Sequence, residues 1–242
     1  MVKAEAPPRD IEQSMAQLAY GKLRRDIIRY RLRPGQEVSE ARLAERYGLG
    51  KTPIREGLTR LAHEKLVQPL PRRGYRIAPI TLDDVKDLLG FRLIVETEAA
   101  RLAAGRCNVA QLRRLDELCA VGYDPGDTRS VERFLRANTE LHATIALAAG
   151  NSKLAAVVIQ VLDEVERLLH LALELGGSRV TMSHEHRSLV DAVVAADGDA
   201  AANAVAEQIH GVERLILETA MSSPQVTVVN LATTARAARV RA

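Results

Sequence analysis

Four side chains in the second half of the chain have residue types and spacings that suit a metal site. Asn138 and His142 lie four residues apart, so they share one face of a predicted helix. His186 lies in register with the inward apolar positions of its segment, and His210 lies at the edge of such a stripe. Three imidazoles and an oxygen donor suit zinc first, then nickel, manganese or iron, with room for water or a carboxylate. Together they could hold a divalent metal, although each histidine alone is more often an ordinary core or surface residue than a ligand.

A second group of residues has the chemistry needed to read DNA. Lys51, Thr52 and Arg55 stand at the start of a predicted helix, directly after a glycine turn. A helix that enters the major groove needs long cationic side chains at its N-terminal end. Because the arginine fork matches the O6 and N7 atoms of guanine, Arg55 is the predicted base reader.

Three further arginines are predicted to contact the DNA backbone. Arg42 precedes the glycine turn, and it is expected on phosphate together with the hydroxyl of Thr52. Arg72 and Arg73 stand at the tip of a predicted hairpin, from which they could reach phosphate or the minor groove. The alternative is that these cations are solvated surface residues.

Three helices and a hairpin are predicted to position the cationic residues. Apolar spacing indicates a first helix over 14–30, Ser39 can cap a second, and Thr52 can cap a third with Pro53 at its first position. Alternating residues on both sides of the turn at 71–74 predict two short strands. This order of elements is that of a winged helix-turn-helix.

The rest of the chain has helical spacing almost throughout, broken by short glycine-containing loops. Short loops favour antiparallel neighbours, so the predicted fold class is mainly α, with the winged helix-turn-helix followed by an antiparallel helical bundle. The predicted helical segments are 82–90, 91–105, 109–121, 129–149, 152–176, 181–197 and 199–221. The predicted parts are a mobile segment over 1–13, a DNA-binding domain over 14–78, a linker over 79–81, an all-helical domain over 82–221 and a mostly disordered tail over 222–242.

Composition and charge restrict the class of protein. Residues 1–80 hold 17 Lys and Arg against 9 Asp and Glu, whereas 81–221 hold 14 against 22. A basic segment joined to an acidic one suggests that only the first meets a polyanion. The two cysteines form no disulfide framework, and no apolar run reaches the length of a membrane span. A soluble, cytoplasmic protein is therefore expected.

Two stretches carry a resemblance to a known family. The stretch from Val38 to Leu58, VSEARLAERYGLGKTPIREGL, closely resembles the DNA-binding signature of the GntR family of bacterial regulators. The C-terminal part resembles the FCD effector domain of FadR-type members. Its marks are Phe91-Arg92 followed by Glu96, Leu141-His142 leading to Gly150-Asn151, and Glu185-His186-Arg187 leading to Asp197-Gly198.

The resemblance implies a repressor that binds a palindromic operator in double-stranded DNA as a homodimer and responds to a small carboxylate. It implies that Arg92 faces that effector; the alternative is a salt bridge from Arg92 to Glu96. It also assigns metal ligation to Asn138, His142, His186 and His210, with Asp more common than Asn at the first position. Whether the effector releases or promotes DNA binding stays open.

Two other classes of function stay open at this point. A DNA-tethered metalloenzyme would use the histidines for catalysis, but no H-E-x-x-H motif, phosphate loop or nucleophile elbow is present, so no enzyme is predicted. An architectural DNA-binding protein would have a filled bundle that binds neither metal nor effector.

Overall fold

The computed structural model describes residues 9–124, 126–176 and 186–222. These residues form two compact units that divide between Ile80 and Thr81. The predicted tail over 222–242 lies outside the described residues except for Ser222, and so do residues 1–8 of the predicted mobile segment.

The first unit contains three helices and a small antiparallel sheet with the strand order β1-β3-β2. The helices and the hairpin of the predicted winged helix-turn-helix are confirmed. Strand β1 was not predicted, since only a helix capped by Ser39 was expected in this part of the chain, whereas Val38 pairs with Tyr75 of the hairpin. The elements are α1 (Arg9–Ile28), β1 (Glu37–Val38), α2 (Glu40–Tyr47), α3 (Lys51–His63), β2 (Val67–Leu70) and β3 (Gly74–Ile77).

Two helix starts differ from the prediction. Helix α1 begins at Arg9 rather than near Ser14, because the residues between Pro8 and Ser14 contain no helix breaker. Helix α3 begins at Lys51 with Gly50 as its N-cap, so the predicted capping role of Thr52 is wrong. Pro53 is still compatible with its place in the first turn of α3, since the first four N–H groups of a helix have no partner within the helix.

Helix α3, which carries the predicted base reader, is held by close packing on α1. Leu23 and Ile27 of α1 and Ile54 and Leu58 of α3 are completely buried against each other in one apolar cluster. Gly57 makes the approach possible, because a Cβ atom there would lie 3.0 Å from the backbone nitrogen of Tyr20. The position of α3 is therefore set by its contact with α1.

The turn before α3 is fixed by caps on α2. The hydroxyl of Ser39 accepts a hydrogen bond from the backbone N–H of Arg42 at 3.3 Å, which confirms the predicted cap. Gly48 ends α2 in the left-handed conformation with φ of 64°, which glycine adopts without steric cost. Ser39 thus defines where α2 begins, and Gly48 defines where the chain leaves α2 towards α3.

The second unit is entirely helical in the part of the chain that the structure describes, which confirms the predicted class. Helix α4 lies against α6, α7 and α9, and α5 lies against α6 and α8. None of the described helices has the length and apolar character needed to cross a membrane. The helices are α4 (Leu82–Ala103), α5 (Val109–Ala120), α6 (Thr128–Ala148), α7 (Ser152–Gly176), α8 (Arg187–Val194) and α9 (Gly198–Ser222).

Helix α4 is continuous where two segments, 82–90 and 91–105, were predicted. Thr81 and Asp84 form a reciprocal capping box that secures the start of the helix. Gly90 lies in its interior on an exposed face, where one glycine costs only about 1 kcal/mol relative to alanine. The predicted division into two segments is wrong, because nothing at Gly90 requires the chain to turn. Of the predicted 181–197 helix, residues 181–185 lie outside the described residues.

Candidate DNA interface and ligand site

The predicted base reader, Arg55, is exposed on α3 and is held by a carboxylate from α2. Its Nε donates to Oε1 of Glu40 at 2.9 Å, and its Nη2 donates to Oε2 at 2.7 Å. Lys51 and Thr52 are also exposed, in the first turn of the same helix. The start of α3 therefore presents all three predicted side chains to solvent.

Pairing keeps both partners of this contact charged. The hydrogen bond from Arg55 outweighs the effect of burial and lowers the pKa of Glu40, with further help from the charge of Lys51. The same hydrogen bond raises the pKa of Arg55. Glu40 was missed at the sequence level because it lies 15 residues before Arg55, and only the packing of α2 on α3 brings them together.

The wing contains a second carboxylate that holds arginines. Glu37 of β1 accepts from Arg73 at 2.8 Å and from Arg76 at 2.9 Å. The hydrogen bond from Arg76 is the largest of several effects that lower the pKa of Glu37. Arg72 is exposed in the turn with φ of 63°, and Arg42 is exposed on α2. Arg76 was not among the predicted DNA contacts, because the alternating pattern to which Arg76 and Ile77 belong indicated only a strand.

Inside the helical unit, α4 carries a buried ion pair. Arg92 and Glu96 are one helical turn apart and each is only 3% exposed. Nε of Arg92 donates to Oε1 of Glu96 at 2.5 Å, and Nδ1 of His142 lies 2.9 Å from Oε2. Burial raises the pKa of Glu96, but the charge of Arg92, the electrostatic effect of His142 and the hydrogen bonds from both residues outweigh it and lower the pKa to about 2. The salt bridge that was the alternative for Arg92 is therefore present.

Three of the four predicted metal ligands meet beside this ion pair. Oδ1 of Asn138 lies 3.0 Å from Nε2 of His186, and the rings of His142 and His186 lie edge to face with centroids 5.4 Å apart. Asn138 and His142 come from α6, whereas His186 directly precedes α8. All three side chains are buried.

His210 does not join this group, so its predicted position is wrong. Its side chain is 51% exposed, and its Nδ1 lies 3.7 Å from Glu213. The neighbouring Ile209 takes the inward position on α9 and is 1% exposed. Successive residues of a helix are rotated by about 100°, so His210, directly after the inward Ile209, faces solvent.

The candidate metal-donor atoms that the structure brings together differ from the predicted set of three imidazoles and one oxygen. Within 9–124, 126–176 and 186–222, no group of three or more His, Cys, Asp or Glu side chains is arranged to hold a metal ion. With His210 at the surface, the converging donors are two imidazoles and the neutral amide of Asn138. The carboxylate of Glu96, which lies beside these donors, is already shared between Arg92 and His142.

Comparison with known families covers both units. The model for bacterial regulatory proteins of the gntR family matches residues 15–77, and the model for the FCD domain matches residues 87–211. The chain is 24% identical to the HTH-type transcriptional repressor RspR of Escherichia coli K12, over 84% of this chain and 90% of that protein. It is 27% identical to a helix-turn-helix regulator of Streptomyces ambofaciens, over 88% and 90% of the two chains.

Solved structures have the same fold. McbR/YncC of Escherichia coli superposes with a TM-score of 0.72 at 19% identity, covering 84% of this chain and 97% of that chain. A transcriptional regulator from Rhodococcus superposes with a TM-score of 0.66 at 21% identity, covering 85% and 98%. At these identities the likeness concerns the fold alone.

Proposed function

Because the chain belongs to the GntR family of bacterial transcriptional regulators and carries an FCD domain, we propose that it is a repressor controlled by a small carboxylate. In this proposal the chain binds a palindromic operator as a homodimer. The family and the named relatives are transcriptional regulators rather than enzymes, so the metalloenzyme alternative has no support.

The exposed cations of the first unit support the DNA-binding part of the proposal. Arg55 and Lys51 lie at the start of α3, where the side chains of a recognition helix meet base edges. Arg72 and Arg73 lie at the wing, from which neighbouring phosphates are within reach of long side chains. A two-fold symmetric dimer would place two copies of α3 in successive major grooves, about one helical turn of DNA apart.

The observation that carries the effector part is the buried polar cluster of the helical unit. It consists of Arg92, Glu96, Asn138, His142 and His186, all of them 4% exposed or less. Burying charges in a helical bundle is expensive, and an apolar core of similar volume is often at least as stable. Such a cluster therefore marks a candidate binding site, and the guanidinium of Arg92 suits a ligand carboxylate.

A divalent metal stays part of the proposal, with three protein ligands in place of four. Asn138, His142 and His186 would hold it, and Glu96 would orient His142 through Nδ1, as carboxylates do for metal-bound imidazoles. Two donors of one ion, each about 2.1 Å from it, lie roughly 3.0–3.4 Å apart, and the 3.0 Å separation of Asn138 and His186 fits this. A bound ion would supply a Lewis acid for one carboxylate oxygen. A direct hydrogen bond between Asn138 and His186 is the metal-free alternative.

The DNA-binding part is tested by titrating operator DNA at fixed salt. Arg55→Ala is expected to weaken binding by about fivefold or more, because a bidentate contact to guanine is lost. Arg113→Ala is the matched control, since it removes the same charge from the helical unit. Equal affinities of wild type and Arg55→Ala would reject the reading role of Arg55.

The metal part is tested by measuring the metal content of the purified proteins. The double variant His142→Ala/His186→Ala is expected to lose the ion, whereas His210→Ala is expected to retain it. Equal metal content in wild type and the double variant would reject the site.

The effector part is tested by screening small carboxylic acids for a rise in the thermal unfolding midpoint. A ligand that binds only the folded state stabilises it, so an effector is expected to raise the midpoint of wild type and not that of Arg92→Met. If no carboxylic acid raises the midpoint of wild type, the architectural alternative gains support.

A further inference from the structure

We propose that Glu40 is a specificity-determining positioning residue, which fixes the edge of the Arg55 guanidinium that faces DNA. This rests on the proposed reading role of Arg55. Glu40 itself is not proposed to contact a base.

Glu40 and Arg55 form a bidentate ion pair. Both carboxylate oxygens of Glu40 are used, one by Nε and one by Nη2 of Arg55, at 2.9 and 2.7 Å. The carboxylate is more enclosed, with 22% of the Glu40 side chain exposed against 62% of that of Arg55. Glu40 therefore supports the arginine from the protein side, while the arginine extends towards solvent.

The position of Glu40 is itself well determined. It is the first residue of α2, and the Ser39 cap fixes the backbone on which it sits. Arg55 lies on α3, which is fixed by its packing on α1. The ion pair thus joins two elements that already have defined positions, so it can orient a side chain at a low cost in ordering entropy.

The atoms left available on Arg55 are those that guanine needs. A guanidinium has five N–H donors in a fixed plane, and the carboxylate uses one on Nε and one on Nη2. The three remaining donors lie on Nη1 and Nη2, and two of them, one on each nitrogen, point along the end edge of the group. That edge presents two parallel N–H bonds, which match the O6 and N7 acceptors of guanine.

The negative charge of Glu40 adds a second effect. It offsets the charge of Arg55 near the DNA surface, and so reduces attraction to phosphates, which carry no sequence information. Removing the carboxylate should therefore leave binding to random DNA unchanged or stronger, while weakening the preference for one base. This combination separates a positioning role from a general loss of structure.

The test is a selection from a library of random double-stranded DNA with the full chain, followed by sequencing. Wild type is expected to select guanine at one position of each half-site, and Arg55→Ala to lose that preference. Glu40→Gln is expected to reduce the preference at the same position by about fivefold or more, and to retain affinity for random DNA. Glu45→Gln, which removes the same charge from an exposed position of α2, is the control and should select like wild type.

Each outcome supports or overturns one of the two proposals. If Arg55→Ala changes the selected sequence and Glu40→Gln does not, the positioning role of Glu40 is wrong while the reading role of Arg55 stands. If Arg55→Ala selects the same sequence as wild type, the reading role itself fails. Glu40→Asp keeps the charge at the start of α2 but shortens the reach, so it supplies the same test if Glu40→Gln does not fold.

Discussion

At the scale of single residues, the pair formed by Arg92 and Glu96 most directly joins stability to the candidate ligand site. Both side chains are buried on α4, and His142 adds a third contact to the same carboxylate. In a low-dielectric interior, neither charge is tolerated without the other. The pair therefore serves the fold even when no ligand is bound, and a ligand carboxylate would have to share Arg92 with Glu96.

A first prediction concerns this pair. Arg92→Met should lower the free energy of unfolding by about 3–5 kcal/mol, because it leaves the Glu96 carboxylate buried without its cation. Arg92→Met/Glu96→Leu should lose less than Arg92→Met alone, since two apolar side chains carry no desolvation penalty for charge. Urea unfolding of the three proteins measures both effects. A double variant that is less stable than Arg92→Met would show that the buried charge is not the cause.

Residue identities predicted part of the candidate site and missed the rest. Asn138 and His142 are four residues apart, and His186 is in register with apolar positions. These two features were sufficient to predict that the three side chains lie close together, as the structure shows. His210 was misplaced, because the position directly after an inward-facing residue is rotated by about 100° and here faces solvent. Glu40 could not have been paired with Arg55 from sequence, because that contact depends on how two helices pack.

At the scale of elements, glycine explains both a success and an error. The glycine turn between α2 and α3 was recognisable from its residues, and Gly48 adopts the left-handed conformation that such a turn requires. Two predicted helical segments met at Gly90, yet α4 continues through it. The difference lies in the neighbouring residues: Gly48 is followed by Leu49-Gly50 and a new helix start, whereas apolar helical spacing continues on both sides of Gly90.

A second prediction concerns the contact between α1 and α3. Gly57→Ala should destabilise the first unit, because the added Cβ would lie 3.0 Å from the nitrogen of Tyr20 and 3.2 Å from Leu23. Gly21→Ala is the matched control on α1. Nothing lies within 4 Å of its added Cβ, so it should stabilise the helix by up to about 1 kcal/mol.

Thermal or urea unfolding of the two glycine variants compares the substitutions directly. Displacing α3 should also weaken operator binding in Gly57→Ala, whereas Gly21→Ala should bind like wild type. Equal unfolding free energies for Gly57→Ala and Gly21→Ala would show that close packing at Gly57 does not position α3.

At the scale of the whole molecule, a DNA-reading unit and a helical unit with a buried polar cluster are combined in one chain. The charge difference between the two halves suggested that the first half meets DNA, and the order of elements predicted both folds. Composition and spacing do not determine whether a carboxylate bound to the helical unit would change DNA binding, or which acid that would be. These depend on free-energy differences between states of the protein rather than on the pattern of residues.

The most direct measurement is the affinity of the full chain for its selected operator with and without the carboxylate that raises its thermal midpoint. The carboxylate is expected to change the operator affinity of wild type by about 5- to 150-fold, the usual range of coupling between two sites. In Arg92→Met/Glu96→Leu the effector-free affinity should persist and the response should disappear. An operator affinity that stays the same at saturating carboxylate in wild type would contradict control by the helical unit.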